Sequence, residues 1–89
     1  MKRTYIVTYQ LGDNSNLNAI IKYLKEFDGW ARINDFTWAV VTDKYKAKDI
    51  RDELLKHKGT NGRIFVIKSG VEAAWSNSRG KNQWFKNNL

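Results

Sequence analysis

The stretch Thr4-Tyr5-Ile6-Val7-Thr8-Tyr9-Gln10-Leu11-Gly12-Asp13-Asn14 reads as a strand running straight into a polar turn. Thr, Tyr, Ile and Val fill Thr4 to Tyr9, the residue types that fit a pleated, half-buried surface. Side chains alternate along a strand, so Tyr5, Val7 and Tyr9 share one face and Ile6, Thr8 and Gln10 the other. The apolar face is expected to lie on helices. The other face ends in Gln10, a polar residue beside the Gly12-Asp13-Asn14 turn, and that strand end is the first place to look for a chemical site.

Beyond the turn, Asn14, Ser15 and Asn16 offer side chains to cap a helix. Leu17, Ile20, Ile21, Leu24 and Phe27 follow helical spacing, and Asp28-Gly29 is expected to end that helix with Gly29 as its left-handed cap. Trp30 to Ile33 and Phe36 to Thr42 read as two strands of a hairpin joined at Asn34-Asp35. Thr42 or Asp43 is expected to cap a second helix carrying Ala47, Ile50, Leu54 and Leu55, with Gly59 as its C-cap and Gly62 closing the following turn. Arg63 to Lys68 is a fourth strand. Strand, helix, strand, strand, helix, strand is the ferredoxin-like α+β order (βαββαβ) over residues 1–68. Both helices are expected on one face of a four-stranded antiparallel sheet, with the other face left open to bind something. Residues 69–89 form a basic C-terminal extension. Trp75, Trp84, Phe85 and Leu89 should anchor it on the domain or on a partner chain, with one or two helical turns over Asn82 to Leu89.

At 89 residues the chain is one domain, short enough to bury only roughly 60 to 65% of its unfolded surface. It has no Cys and a single His, which excludes a disulfide framework, thiolate chemistry and a His-based metal cluster within one chain. No run approaches the roughly 18 apolar residues of a membrane span, and a cytoplasmic location without membrane contact is expected. The net charge of +7 is uneven: residues 1–45 hold six Lys/Arg against five Asp/Glu, and residues 46–89 hold ten against four. Such a surface suits a polyanion, above all nucleic acid, RNA or DNA.

Tyr9-Gln10-Leu11 at a strand end, Thr37-Trp38-Ala39-Val40-Val41, Ile50-Arg51-Asp52, Arg63-Ile64-Phe65-Val66-Ile67 and the ending Trp84-Phe85-Lys86-Asn87-Asn88-Leu89 together resemble the small bacterial SinR-like proteins. These are related to the CRISPR-associated protein of the spacer-acquisition complex and to the VapD toxins. The resemblance spans nearly the whole chain through short motifs. It implies a ferredoxin-like homodimer that meets nucleic acid. In the CRISPR-associated relatives, paired carboxylates at the end of the first strand are assigned to a metal-dependent nuclease; here that position is Gln10. An amide lacks the anionic charge that Mg²⁺ prefers.

Other constellations have plain readings beside functional ones. Asp13, with Asn14 and Ser15, could hold a metal across a dimer axis, but helix capping explains them more simply. His57, between Lys56 and Lys58, fits a solvated helix end better than a general base. Trp30, Phe36 and Trp38 could stack on bases, but core or dimer packing explains them more simply. The candidate phosphate contacts are Lys46, Lys48, Arg51, Arg79, Lys81 and Lys86. Gly59-Thr60-Asn61-Gly62 lacks the ending of a phosphate-binding loop. No nucleophile–base set and no zinc spacing is evident, so no catalytic residue is assigned beyond the weak candidates Gln10 and Asp13. The expectation is a homodimeric nucleic-acid-binding or scaffold protein without a cofactor or nuclease activity. The alternatives are a toxin-like endoribonuclease using Asp13 and Mg²⁺, or a protein-interaction or inhibitor module.

Overall fold

Strand β1 (Arg3–Gln10) sits inside the sheet and pairs on both sides. β3 (Thr37–Thr42) runs antiparallel along one edge of it, with Val7 opposite Trp38, and β4 (Arg63–Lys68) antiparallel along the other, with Val7 opposite Val66. β2 (Gly29–Asn34) completes the order β2-β3-β1-β4, so β2 and β4 are the two edges. The computed structural model describes residues 1–70 and 72–89. Its α+β architecture is the ferredoxin-like one expected: helix α1 (Leu17–Lys25) follows β1, α2 (Ala47–Leu55) follows β3, and a short α3 (Asn82–Asn88) ends the chain.

The alternation in β1 decides the core. Tyr5, Val7 and Tyr9 are buried with Trp38 and Val40 from β3, Ile20 and Leu24 from α1, and Ile50 and Leu54 from α2. Each helix therefore contributes an i, i+4 pair. At nine residues apiece the helices are shorter than an isolated helix can sustain, so packing of that stripe holds them. Trp38 is the largest fully buried side chain, and its indole N–H donates to the Tyr9 hydroxyl at 3.1 Å, which satisfies both polar atoms inside the core.

Several local details differ from the sequence reading. Asn16 caps α1, accepting from the Ala19 N–H at 3.0 Å, whereas Asp13 is drawn into a backbone bridge with Thr60 and caps nothing. Gly29 is not a helix cap: α1 ends at Glu26, and Gly29 opens β2 in extended backbone. Phe36 belongs to the hairpin turn, where the Asn34 carboxamide accepts from its N–H at 3.3 Å. Thr42 accepts from the Lys44 and Tyr45 N–H groups and so shapes a turn before α2. The α2 cap position is Lys46, whose N–H is taken by Asp49 at 2.9 Å. The C-cap of α2 is Lys56, and Gly59 comes three residues later in the left-handed region at φ 80°.

The face expected to be open is half covered. Residues 73–89 fold back over the β2–β3 side of it. Ala31, Ala39 and Val41 point away from the two helices yet are buried there, and Phe85 of α3 is 1% exposed. Small residues at Gly29, Ala31 and Ala39 let the extension approach closely: a Cβ at Gly29 would lie 3.8 Å from the Trp84 ring. The Arg79 N–H donates to the Ile33 carbonyl at 2.9 Å and ties the extension to the sheet edge, where the β2–β3 register shifts between Arg32 and Asn34. Covered on both faces, β3 is buried at five consecutive positions from Trp38 to Thr42. The β1–β4 half stays bare, with Phe65 61% and Ile67 52% exposed. No helix among the described residues is long and apolar enough to cross a membrane.

Candidate nucleic-acid interface

A cleft of about 460 Å³ runs round the β2 edge, between the helix side of the sheet and the C-terminal extension. Its size is within the roughly 300–1,000 Å³ usual for ligand sites. Four cations line it: Lys25 from the last turn of α1, Arg32 from β2, and Arg79 and Lys81 from the extension. Three tryptophans join them. Trp30 and Trp38 come from the helix side and Trp84 from α3. No carboxylate is part of the lining among the described residues.

The charges are held in different ways. The Lys25 ammonium lies 5.4 Å from the centre of the Trp30 ring, within cation–π range. The Arg32 guanidinium lies 5.3 Å from the Trp38 ring centre, and one of its terminal nitrogens donates to the Asp35 carbonyl at 2.9 Å. Its Nε is buried with no acceptor among the described residues. Among the described residues, Arg79 alone of the four meets a carboxylate, Asp35, at 2.9 Å. Lys81 is the exposed residue before α3, and its side chain makes no capping bond.

Arg79 and Lys81, candidates from the sequence, thus come together with Lys25 and Arg32, which sequence reasoning passed over. Lys86 is exposed on α3. Lys46, the cap position of α2, and Lys48 and Arg51 on α2 lie elsewhere, exposed where α2 packs over β4 at the opposite edge of the sheet. Arg51 is engaged there by Asp52 at 2.8 Å. Of the three aromatics singled out for stacking, Trp38 is fully buried, while Trp30 keeps 38% and Phe36 43% of its surface exposed. The ring of Phe36 packs edge-on against Tyr9.

The strand end has a different chemistry. The Gln10 carboxamide oxygen accepts from the Arg63 guanidinium at 2.6 Å. Asp13 is exposed, and its main chain is held by Thr60 at 2.8 and 3.0 Å. The guanidinium beside Gln10 repels a divalent cation, and the nearest carboxylate in sequence, Asp13, is exposed on a main chain paired with Thr60. No group of three or more His, Asp or Glu gathers elsewhere among the described residues.

His57 is half-buried at the end of α2, 3.3 Å from the Glu53 carboxylate. Its carbonyl accepts from the Asn16 N–H at 2.9 Å, so it links the end of α2 to the start of α1. Glu53 is held below the usual carboxylate range first by its hydrogen bond to Lys56, against the opposing effect of burial, and further by its hydrogen bond to His57. Comparison with protein-family models, with curated proteins and with solved structures finds no match for this chain.

Proposed function

We propose that the protein is a homodimeric nucleic-acid-binding protein that does not cut its ligand. The observation that carries this reading is the β2-edge cleft, where Lys25, Arg32, Arg79 and Lys81 surround tryptophan rings with no carboxylate in the lining. Cations supply the phosphate contacts that dominate nucleic-acid affinity, and aromatic rings supply surfaces for bases. The net charge of +7 draws a polyanion from a distance. The Gln10–Arg63 pair argues against metal-dependent cleavage at the first-strand end. The resemblance to the SinR-like and CRISPR-associated group agrees with a binding role.

Dimerisation is proposed through the bare β1–β4 half of the sheet. Phe65 and Ile67 are more than half exposed there, on an edge strand with no partner on its outer side. A second copy related by two-fold symmetry would place Ile6, Thr8 and these residues against their own counterparts. Sedimentation at micromolar concentration then gives twice 10.4 kDa, and Phe65→Asp gives 10.4 kDa.

The test of binding is its salt dependence. If the four cleft cations each neutralise a phosphate, log K for a single strand falls with log salt at a slope of roughly 3. A slope near zero, or no binding at low salt, contradicts the reading.

A further inference from the structure

We propose that the β2-edge cleft holds one unpaired nucleotide of a single-stranded nucleic acid, with its base on an exposed tryptophan ring and its phosphates between Arg32, Lys25 and Lys81. This rests on the nucleic-acid-binding reading and gives it a place and a strand type.

The first argument concerns the rings. A site for phosphate alone has no use for indole surface. Trp30 nevertheless keeps 38% of its surface exposed in a domain that buries Trp38 and Phe85 completely, and Trp84 is only partly covered beside it. The Trp30 ring packs against Trp38 at 5.5 Å and carries the Lys25 ammonium at 5.4 Å, so a base stacks on it by taking the place of that ammonium, and only a base free of its neighbours can do so. In a duplex both faces of each base are already stacked, and a side chain cannot reach them.

The second argument concerns charge. Arg32 is the least compensated cation of the four. Its partners are one carbonyl and a ring face, and its Nε is buried without an acceptor among the described residues. A partly buried guanidinium in that state gains from an arriving anion more than a solvated surface lysine does. Lys81 and Lys25 flank it without a salt bridge among the described residues, so three of the four cations remain available.

The third argument concerns shape. The cleft wraps the rim of an edge strand, from Trp30 and Arg32 on the helix side to Trp84 and Lys81 on the extension. Its volume of about 460 Å³ suits one nucleotide and not the broad face of a helix. A duplex would sooner lie along the convex, exposed cations of α2.

The experiment is a tryptophan-fluorescence titration of the full chain at low salt. The probes are short oligouridine and oligothymidine, a hairpin duplex, uridine monophosphate and inorganic phosphate. Single strands should quench the fluorescence and bind more tightly than the duplex, the mononucleotide or phosphate. Trp30→Ala should weaken single-strand binding roughly 5- to 150-fold, the range that one base–aromatic stack is worth. Trp30→Phe should recover most of it. Lys81→Glu, at an exposed position that leaves folding intact, should weaken binding and flatten the salt slope, while Lys46→Ala on α2 should change single-strand binding less than twofold. Equal binding of duplex and single strand, untouched by Trp30→Ala and Lys81→Glu, overturns the cleft assignment and leaves the binding reading standing. Mononucleotide binding as tight as that of the oligonucleotides overturns the single-strand assignment in favour of a free nucleotide. Binding to none of the probes overturns both.

Discussion

At the scale of single residues, local chemistry and backbone geometry decide outcomes that composition hides. Burial pushes the Tyr23 hydroxyl up to about 12 from its ordinary 10.0, aided by the Glu53 carboxylate. The raised value means that the fold prefers the neutral phenol. The stabilisation from Tyr23 is therefore complete below pH 10 and is lost as pH rises through about 12. Urea denaturation across that window should show stability falling in the wild type and a flatter profile in Tyr23→Phe. Gly59 is a second case. It sits at φ 80°, and a Cβ there would overlap the Asp13 carbonyl oxygen, a backbone atom that cannot yield. Gly59→Ala should cost more than about 1–2 kcal/mol, the ordinary left-handed penalty, because the Asp13–Thr60 bridge must open as well. A loss under half that in a denaturation series would contradict the geometry. The sequence marks Gly59 as a helix C-cap, but its contact with Asp13 joins segments too far apart in the chain for local patterning to reveal.

At the scale of elements, periodicity made most of the fold legible. Alternation in Thr4 to Tyr9 and in Arg63 to Lys68, and the i, i+4 pairs Ile20/Leu24 and Ile50/Leu54, identify elements whose local preference and tertiary role agree. The caps were less legible. Asn14, Ser15, Asn16, Thr42 and Asp43 all carry suitable oxygens, and only the path of the chain selects Asn16 for α1 and leaves Lys46 at the start of α2. The extension was legible as aromatic-anchored, but not the face it covers, because Ala31 and Ala39 look unremarkable until Phe85 lies over that side of the sheet. The ring of Phe85 also leaves no room for a side chain at Gly80. Phe85→Ala should lower stability by about 3–5 kcal/mol, a large share of what a small domain has, and should speed amide exchange in β2 and β3. A loss below about 1 kcal/mol would mean that the extension contributes little to the fold.

At the scale of the whole molecule, charge and aromatic surface converge where the chain's two halves meet. Net charge and the tail cations pointed to a polyanion, and Arg79 and Lys81 were visible as candidates. Lys25, Arg32 and Trp84 were not, because each has a sufficient local role as helix surface, strand residue or anchor, and only folding of the extension against β2 brings them together. The molecule thereby acquires two differently built edges. The β2 edge is capped by a cationic, tryptophan-lined cleft, and the β4 edge is bare and apolar. The most direct measurement is to follow the indole N–H signals of the four tryptophans by NMR while a single-stranded oligonucleotide is added. The account predicts that Trp30 and Trp84 shift and saturate together, while Trp75, outside the cleft with its indole N–H on Asn82 at 3.1 Å, stays in place. Saturated binding that leaves Trp30 and Trp84 unmoved would contradict it.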